Sequence, residues 1–233
     1  MEDRFKKYLK TAIPSFICIF IYIMMANFEI DYLSLWGIDV NNIDINYKVV
    51  YLTACECLVM GLIMLIMYKK IKRDIDDIKI NHKIYFKKYF KYWLISIGIM
   101  MISNAIINLL GNGLSGNEEA LRNTFKISPF YIYFSSVIFA PIVEELIFRQ
   151  SIKNIIPNNI VFIIVSGFIF GGLHVLTGFS GPMDLLYLIP YCAPGIAFAI
   201  ILADSDNILI SMGLHCMHNG IMIALQFLLL IFG

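Results

Sequence analysis

Long apolar stretches alternate with short polar breaks along the chain, and within each stretch the apolar residues run on continuously. An α-helix needs about 20 such residues to cross the hydrocarbon core, whereas a membrane strand would show polar residues at every second position. The runs fall at about 12–30, 48–68, 92–110, 129–154, 158–177, 184–204 and 207–232. They predict an all-α, polytopic transmembrane helical bundle of about seven to eight spans, with a half-length segment around 31–47 as the eighth. Gly171, Gly172, Pro190 and Pro194 fall inside predicted spans, where helices in lipid tolerate them better than helices in water.

Composition supports the pattern. The 233 residues are 59% apolar and 15% charged, with a mean hydropathy of +0.77, against roughly 45–50% and 25% in an ordinary soluble domain. The lipid bilayer is therefore the first partner, and nothing in the chain points to nucleic acid. Arg4, Lys6, Lys7 and Lys10 precede an apolar stretch in the manner of a secretory signal, but no small-residue cleavage site follows, so an uncleaved first span is expected. Cys18, Cys55, Cys57, Cys192 and Cys216 all lie in predicted spans and read as buried thiols.

Charge sets an orientation. All 18 Lys and Arg precede residue 154, and nine crowd the 69–91 segment. The positive-inside rule then makes the amino terminus and 69–91 cytoplasmic, and 31–47 and 111–127 external. The basic segment is either an amphipathic helix on anionic lipid or a solvated loop. The abundance of Ile, Lys and Asn hints at an AT-rich bacterial genome, which makes this a multi-pass protein of a bacterial cell membrane.

Ionisable groups deep in a span cost several kcal/mol unless paired or hydrated, and so mark functional sites. The fourth span holds Glu144 and Glu145, the fifth His174, and the seventh His215, His218 and Asn219. Arg149 follows Glu145 by four residues, which predicts an ion pair on one helix face, with Glu144 turned about 100° away and left for chemistry. His215 and Asn219 share one stripe, as do Phe170 and His174, and Gly167 with Gly171 forms a small-xxx-small pattern for close helix approach. At 1.5 Å per residue, the Glu and His positions on the three helices converge at similar depth. Glu56 is a further buried acid, expected to pair locally with Asn104 or Asn108 or to face the same cavity.

Glu144-Glu145-x-x-x-Arg149, Phe170-x-x-x-His174 and His215-x-x-x-Asn219 resemble the three ordered motifs of the CAAX prenyl protease type II and bacteriocin-processing (CPBP, Abi) intramembrane peptidases. The resemblance covers about 125–225, after amino-terminal helices over 1–124, and leaves 226–233 as the end of the last span. It implies an intramembrane endopeptidase acting on membrane-associated peptides or proteins. Glu144 would activate water with His174 as its partner, His215 and Asn219 would polarise the carbonyl and hold the oxyanion, and Glu145, Arg149 and Phe170 would support the helix or position substrate. His218 stands outside the pattern.

A carboxylate with two imidazoles is also a donor set for catalytic zinc, here Glu144, His174 and His215, although no H-E-x-x-H occurs. A metal-free glutamate mechanism fits the motifs equally well. Two other classes compete with a peptidase. One is a bacteriocin self-immunity or scaffold protein of the same fold, which would keep its phenotype after Glu144→Ala. The other is a transporter or proton channel, which would show internal repeats with paired broken helices.

Overall fold

A computed structural model describes residues 2–26, 29–39 and 42–232, and every regular element among them is helical. The helices are α1 (Glu2–Ile21, continued by a π turn at Tyr22–Ala26), α2 (Glu29–Leu35), α3 (Ile45–Ile66), α4 (Tyr68–Leu109), α5 (Gly116–Ile127), α6 (Pro129–Ile155), α7 (Asn159–Leu176), α8 (Leu188–Ser205, entered through a 3₁₀ turn at Pro182–Tyr187) and α9 (Ile208–Phe232). Seven of them are long and apolar enough to span a membrane: Tyr8–Met25, α3, α4, α6, α7, Pro182–Ser205 and Ile208–Leu228. The chain is thus an integral multi-pass membrane protein. The first span begins earlier than its apolar pattern suggested. The 31–47 segment holds only the seven-residue α2 and a turn, with positions 40 and 41 outside the described residues.

The basic segment is neither a loop nor a separate helix. Residues 69–91 form the first half of α4, a single 42-residue helix, about 63 Å long at 1.5 Å per residue and twice the hydrocarbon thickness. Asp74 and Tyr89 are 15 residues apart on α4, yet they reach Ile208 and Asp204 of one short turn. The basic half of α4 therefore crosses the α8–α9 turn at a slant.

That crossing is a dense polar clamp. Asp74 is 1% exposed, pairs with Lys70 and Arg73, and accepts the Ile208 backbone N–H at 2.9 Å, capping the start of α9. Asn207 donates to the Asp74 carbonyl (3.0 Å) and to Asp77 (2.7 Å), and Lys153 reaches Asp206 at 3.1 Å. Helix ends leave several N–H and C=O groups without intrahelical partners, and this clamp satisfies them where α9 begins.

Between spans, apolar burial gives little net drive because lipid is equally apolar, so close packing and hydrogen bonds decide the geometry. α7 and α8 form the most extensive helix pair in the bundle. A methyl at Gly167 would collide with Ile196 and one at Gly171 with Cys192, while Gly195 abuts the Gly167 carbonyl. The small-xxx-small pattern thus works as expected. At the opposite end of the bundle from the clamp, Gly178, at φ +74°, packs backbone to backbone against Gly116, the first residue of α5.

Two local expectations change. Glu56 takes its partners from α6: Ser135 donates at 2.6 Å and Tyr131 at 3.2 Å, and Asn104 and Asn108 are not involved. All five cysteines are free, but only Cys18 and Cys192 are buried, and Cys57 lies on the outer surface.

Candidate active site

The site is organised by irregularities in α6. Pro141 has no N–H, so it cannot continue the helical ladder, and the turn before it widens to a π turn at Phe134–Phe139 in which the Ala140 N–H bonds Ser135. The Ser136 carbonyl is left without a helical donor. Asn219 supplies one, its Nδ2 donating to that carbonyl at 2.7 Å. A second π turn, Glu145–Ser151, follows, and its carbonyls draw on side-chain hydroxyls: Ser151 donates to Leu146 at 2.9 Å and Ser166 to Phe148 at 2.6 Å. Backbone groups in lipid must find such partners, and π turns gather at functional sites. The simple 100° spacing assumed for this span therefore does not hold through the acidic pair.

Glu145 and Arg149 are both 0% exposed and pair at 3.4 Å between Oε1 and Nε, as their spacing predicted. The pair is not isolated. His215 places Nδ1 3.1 Å from Glu145 Oε1 and Nε2 3.8 Å from Glu144 Oε2, so one imidazole stands between the two carboxylates. The expectation that Glu145 serves Arg149 alone is thereby corrected. Phe170 is the common platform: the Arg149 guanidinium carbon lies 4.1 Å above its ring, the His174 ring is 4.4 Å away and the His215 ring 5.8 Å. His215 also stacks on Phe198 at 5.1 Å.

His174 holds its ring by Nδ1, 2.9 Å from the Phe170 carbonyl. A carbonyl can only accept, so Nδ1 carries the proton and the neutral ring keeps a lone pair on Nε2. Glu144 and His174 line one cavity of about 480 Å³, together with Tyr22, Ile147, Phe148, Leu173 and Asn117. The groups expected to cooperate thus face one space rather than two. Asn219 lies outside that lining and commits one amide N–H to Ser136, so its expected role as oxyanion donor is not expressed in this arrangement. His218 is also away from the cavity, with Nδ1 buried and unbonded.

The zinc donor set was tested on geometry. Among the described residues no three His, Cys, Asp or Glu side chains gather closely enough to hold a metal ion, so Glu144, His174 and His215 do not converge as ligands here, and no step is routed through a metal. Two cavity residues come from regions outside the three motifs. Tyr22 sits in the first span, edge-on to Phe148 at 5.5 Å, and Asn117 begins α5. No local pattern marks either residue; a tyrosine inside the first apolar run was the only available sign.

Spans, paired carboxylates and imidazoles around an internal cavity define the class: a polytopic membrane protein with a peptidase-type site. Residues 126–221 match the family model of the type II CAAX prenyl endopeptidase Rce1-like proteins, so the resemblance carried by the three motifs holds over that segment. The chain is 30% identical over 115 residues to a Bacillus subtilis protein named "Putative membrane peptidase YdiL", covering 48% of this chain and 43% of that one. It is 30% identical over 115 residues to an uncharacterized protein of Mycoplasma capricolum subsp. capricolum, covering 46% of this chain and 32% of that one. The alignments thus span less than half the length of either relative. No solved structure matches the chain.

Proposed function

We propose that the chain is an intramembrane endopeptidase that hydrolyses membrane-associated peptides or proteins with water activated by Glu144. The observation that carries this reading is the single cavity lined by Glu144 on α6 and His174 on α7. Water in that cavity gives a proton to the Glu144 carboxylate while its oxygen adds to the scissile carbonyl carbon. His174 orients the same water by accepting its second hydrogen at Nε2, the lone pair freed by the Nδ1 bond to Phe170. The Glu144 proton then passes to the amide nitrogen as the C–N bond breaks, restoring the carboxylate and leaving an acid and an amine.

His215 is held at Nδ1 by Glu145, which turns Nε2 toward Glu144 and the reacting carbonyl. Arg149 balances Glu145, and Phe170 fixes Arg149 and His174 together. Asn219 acts by two routes: one amide hydrogen holds the π turn at Ser136, and the other is available to an oxyanion once substrate enters. The family resemblance and the relative's name favour the same chemistry. In orientation, the basic half of α4 and the amino terminus face the cytoplasm.

The test is cleavage of membrane-anchored peptides by purified protein in proteoliposomes, read by mass spectrometry. Glu144→Gln and His174→Ala should each abolish product while the protein stays folded. A folded Glu144→Gln protein with full activity would overturn the mechanism, and an intact immunity phenotype in that variant would favour a scaffold.

A further inference from the structure

The larger cavity in the molecule is far from the carboxylates. It is a groove of about 540 Å³ between the basic half of α4 and the first turns of α9. Gly213, Leu214 and Met217 form its apolar floor, and Tyr85 and Phe86 its wall. Gly213 leaves real space, since a methyl added there meets nothing within 4 Å. His82 and Lys83 stand at the rim. Lys79, Lys83, Lys87 and Lys91 are all exposed and recur every fourth residue, so they form one cationic stripe along α4 beside the groove. Lys79 pairs with Asp76 and Lys88 with Asp204, whereas Lys83 and Lys87 have no carboxylate partner among the described residues.

We infer that this groove binds one anionic phospholipid, with an acyl chain along Gly213, Leu214 and Met217 and the phosphate at Lys83, Lys87 and His82. Size and charge together select that occupant. The groove runs along α9 from Leu209 to Met217, about 12 Å of helix axis, and a helix roughly 10 Å wide over that length would need roughly 900 Å³. The groove offers well under that, so a partner helix is too thick where a single hydrocarbon chain fits. The location agrees, because α4 crosses the end of the bundle at the α8–α9 turn, where headgroups meet the first apolar turns of a span. Lysines there keep their stems on apolar surface and their ammonium groups among phosphates. Gly213 and His215 lie about 200° apart on α9, so the lipid would rest on the back of the helix that carries His215.

The experiment is native mass spectrometry of the full chain exchanged into micelles of equimolar phosphatidylglycerol and phosphatidylcholine. The wild type should retain one phosphatidylglycerol in preference to phosphatidylcholine. Lys83→Ala should lower that preference about fivefold, the value of one interfacial cation, and Lys83→Glu with Lys87→Glu should abolish it. Gly213→Leu should fill the groove and remove retention of both lipids. Equal retention of the two lipids by the wild type, unchanged retention in all variants, or a co-purifying protein in place of lipid would each overturn the assignment. If Gly213→Leu fails to fold, the lysine variants on the surface still decide the matter.

Discussion

The molecule holds two clusters of charge, and they are built on opposite terms. At the end of the bundle, Asp74, Asn207 and Asp206 are matched with Lys70, Arg73, Lys153 and a helix N–H, and most of these bonds are direct and well aligned. In the interior, Glu145 and Arg149 are fully buried, yet Glu145 Oε2 and all three guanidinium nitrogens of Arg149 lack a hydrogen-bond partner. The first cluster spends its charges on fixing where α9 starts. The second keeps unspent hydrogen-bonding capacity beside a cavity, held in place by an aromatic ring instead. Buried polar groups are costly when unsatisfied, so the contrast separates a structural clamp from a site awaiting a ligand.

The sharpest way to break the comparison is through catalysis. Glu144→Gln should lower peptide cleavage by roughly a hundred- to ten-thousandfold, the range lost with a positioned general base, with an unchanged unfolding temperature. Activity surviving in that variant would leave the interior cluster as mere structure. Next in size is Arg149→Ala, which strands Glu145 without its cation and should cost about 3–5 kcal/mol in detergent unfolding. Asp74→Ala should follow at about 1–3 kcal/mol, because the buried Ile208 N–H loses its acceptor, and hydrogen exchange at the start of α9 should speed up with it.

Smallest is Lys153→Ala, at about 0–1 kcal/mol, since its partner Asp206 is 62% exposed. Asp206 also gives the clamp a pH signature. Burial works against its ionisation, but Lys153, Lys70 and Arg73 hold its carboxyl below the usual value. A lowered folded value means the contribution is complete above the unfolded pKa of about 3.9 and fades as pH falls below it. Stability measured down through pH 3 should lose that contribution in the wild type and show no such loss in Asp206→Asn.

The number of spans and the residues facing the cavity were legible in the sequence because continuous apolar runs and buried ionisable groups are rare signals with one physical meaning each. Glu144 and His174 could be paired by depth alone. The α4 helix was not legible, since a strongly charged stretch scores as polar whether it is a loop or an extended helix, and only its contacts with residues 204–208 distinguish them. Glu145 bridging to His215 was hidden for another reason. Face arithmetic assumes 3.6 residues per turn, and the π turns of α6 break that assumption. Tyr22 and Asn117 lie in parts of the chain where no spacing links them to Glu144, so only tertiary structure could bring them to the cavity.

The π turn at Phe134–Phe139 also has a genetic consequence. Its bonds reach one residue further back than those of an α-helix, so it accommodates one residue more than the same rise would otherwise hold. A one-codon deletion within it could be absorbed as ordinary α-helix, leaving a span still long enough for the membrane. Everything beyond would be rotated by about 100°, carrying Glu144 off the cavity while the hydropathy of the chain barely changed. Sequences related to this one can therefore look intact along α6 by length and apolarity and yet have lost the site, and an alignment gap between residues 134 and 139 is the place to look for it.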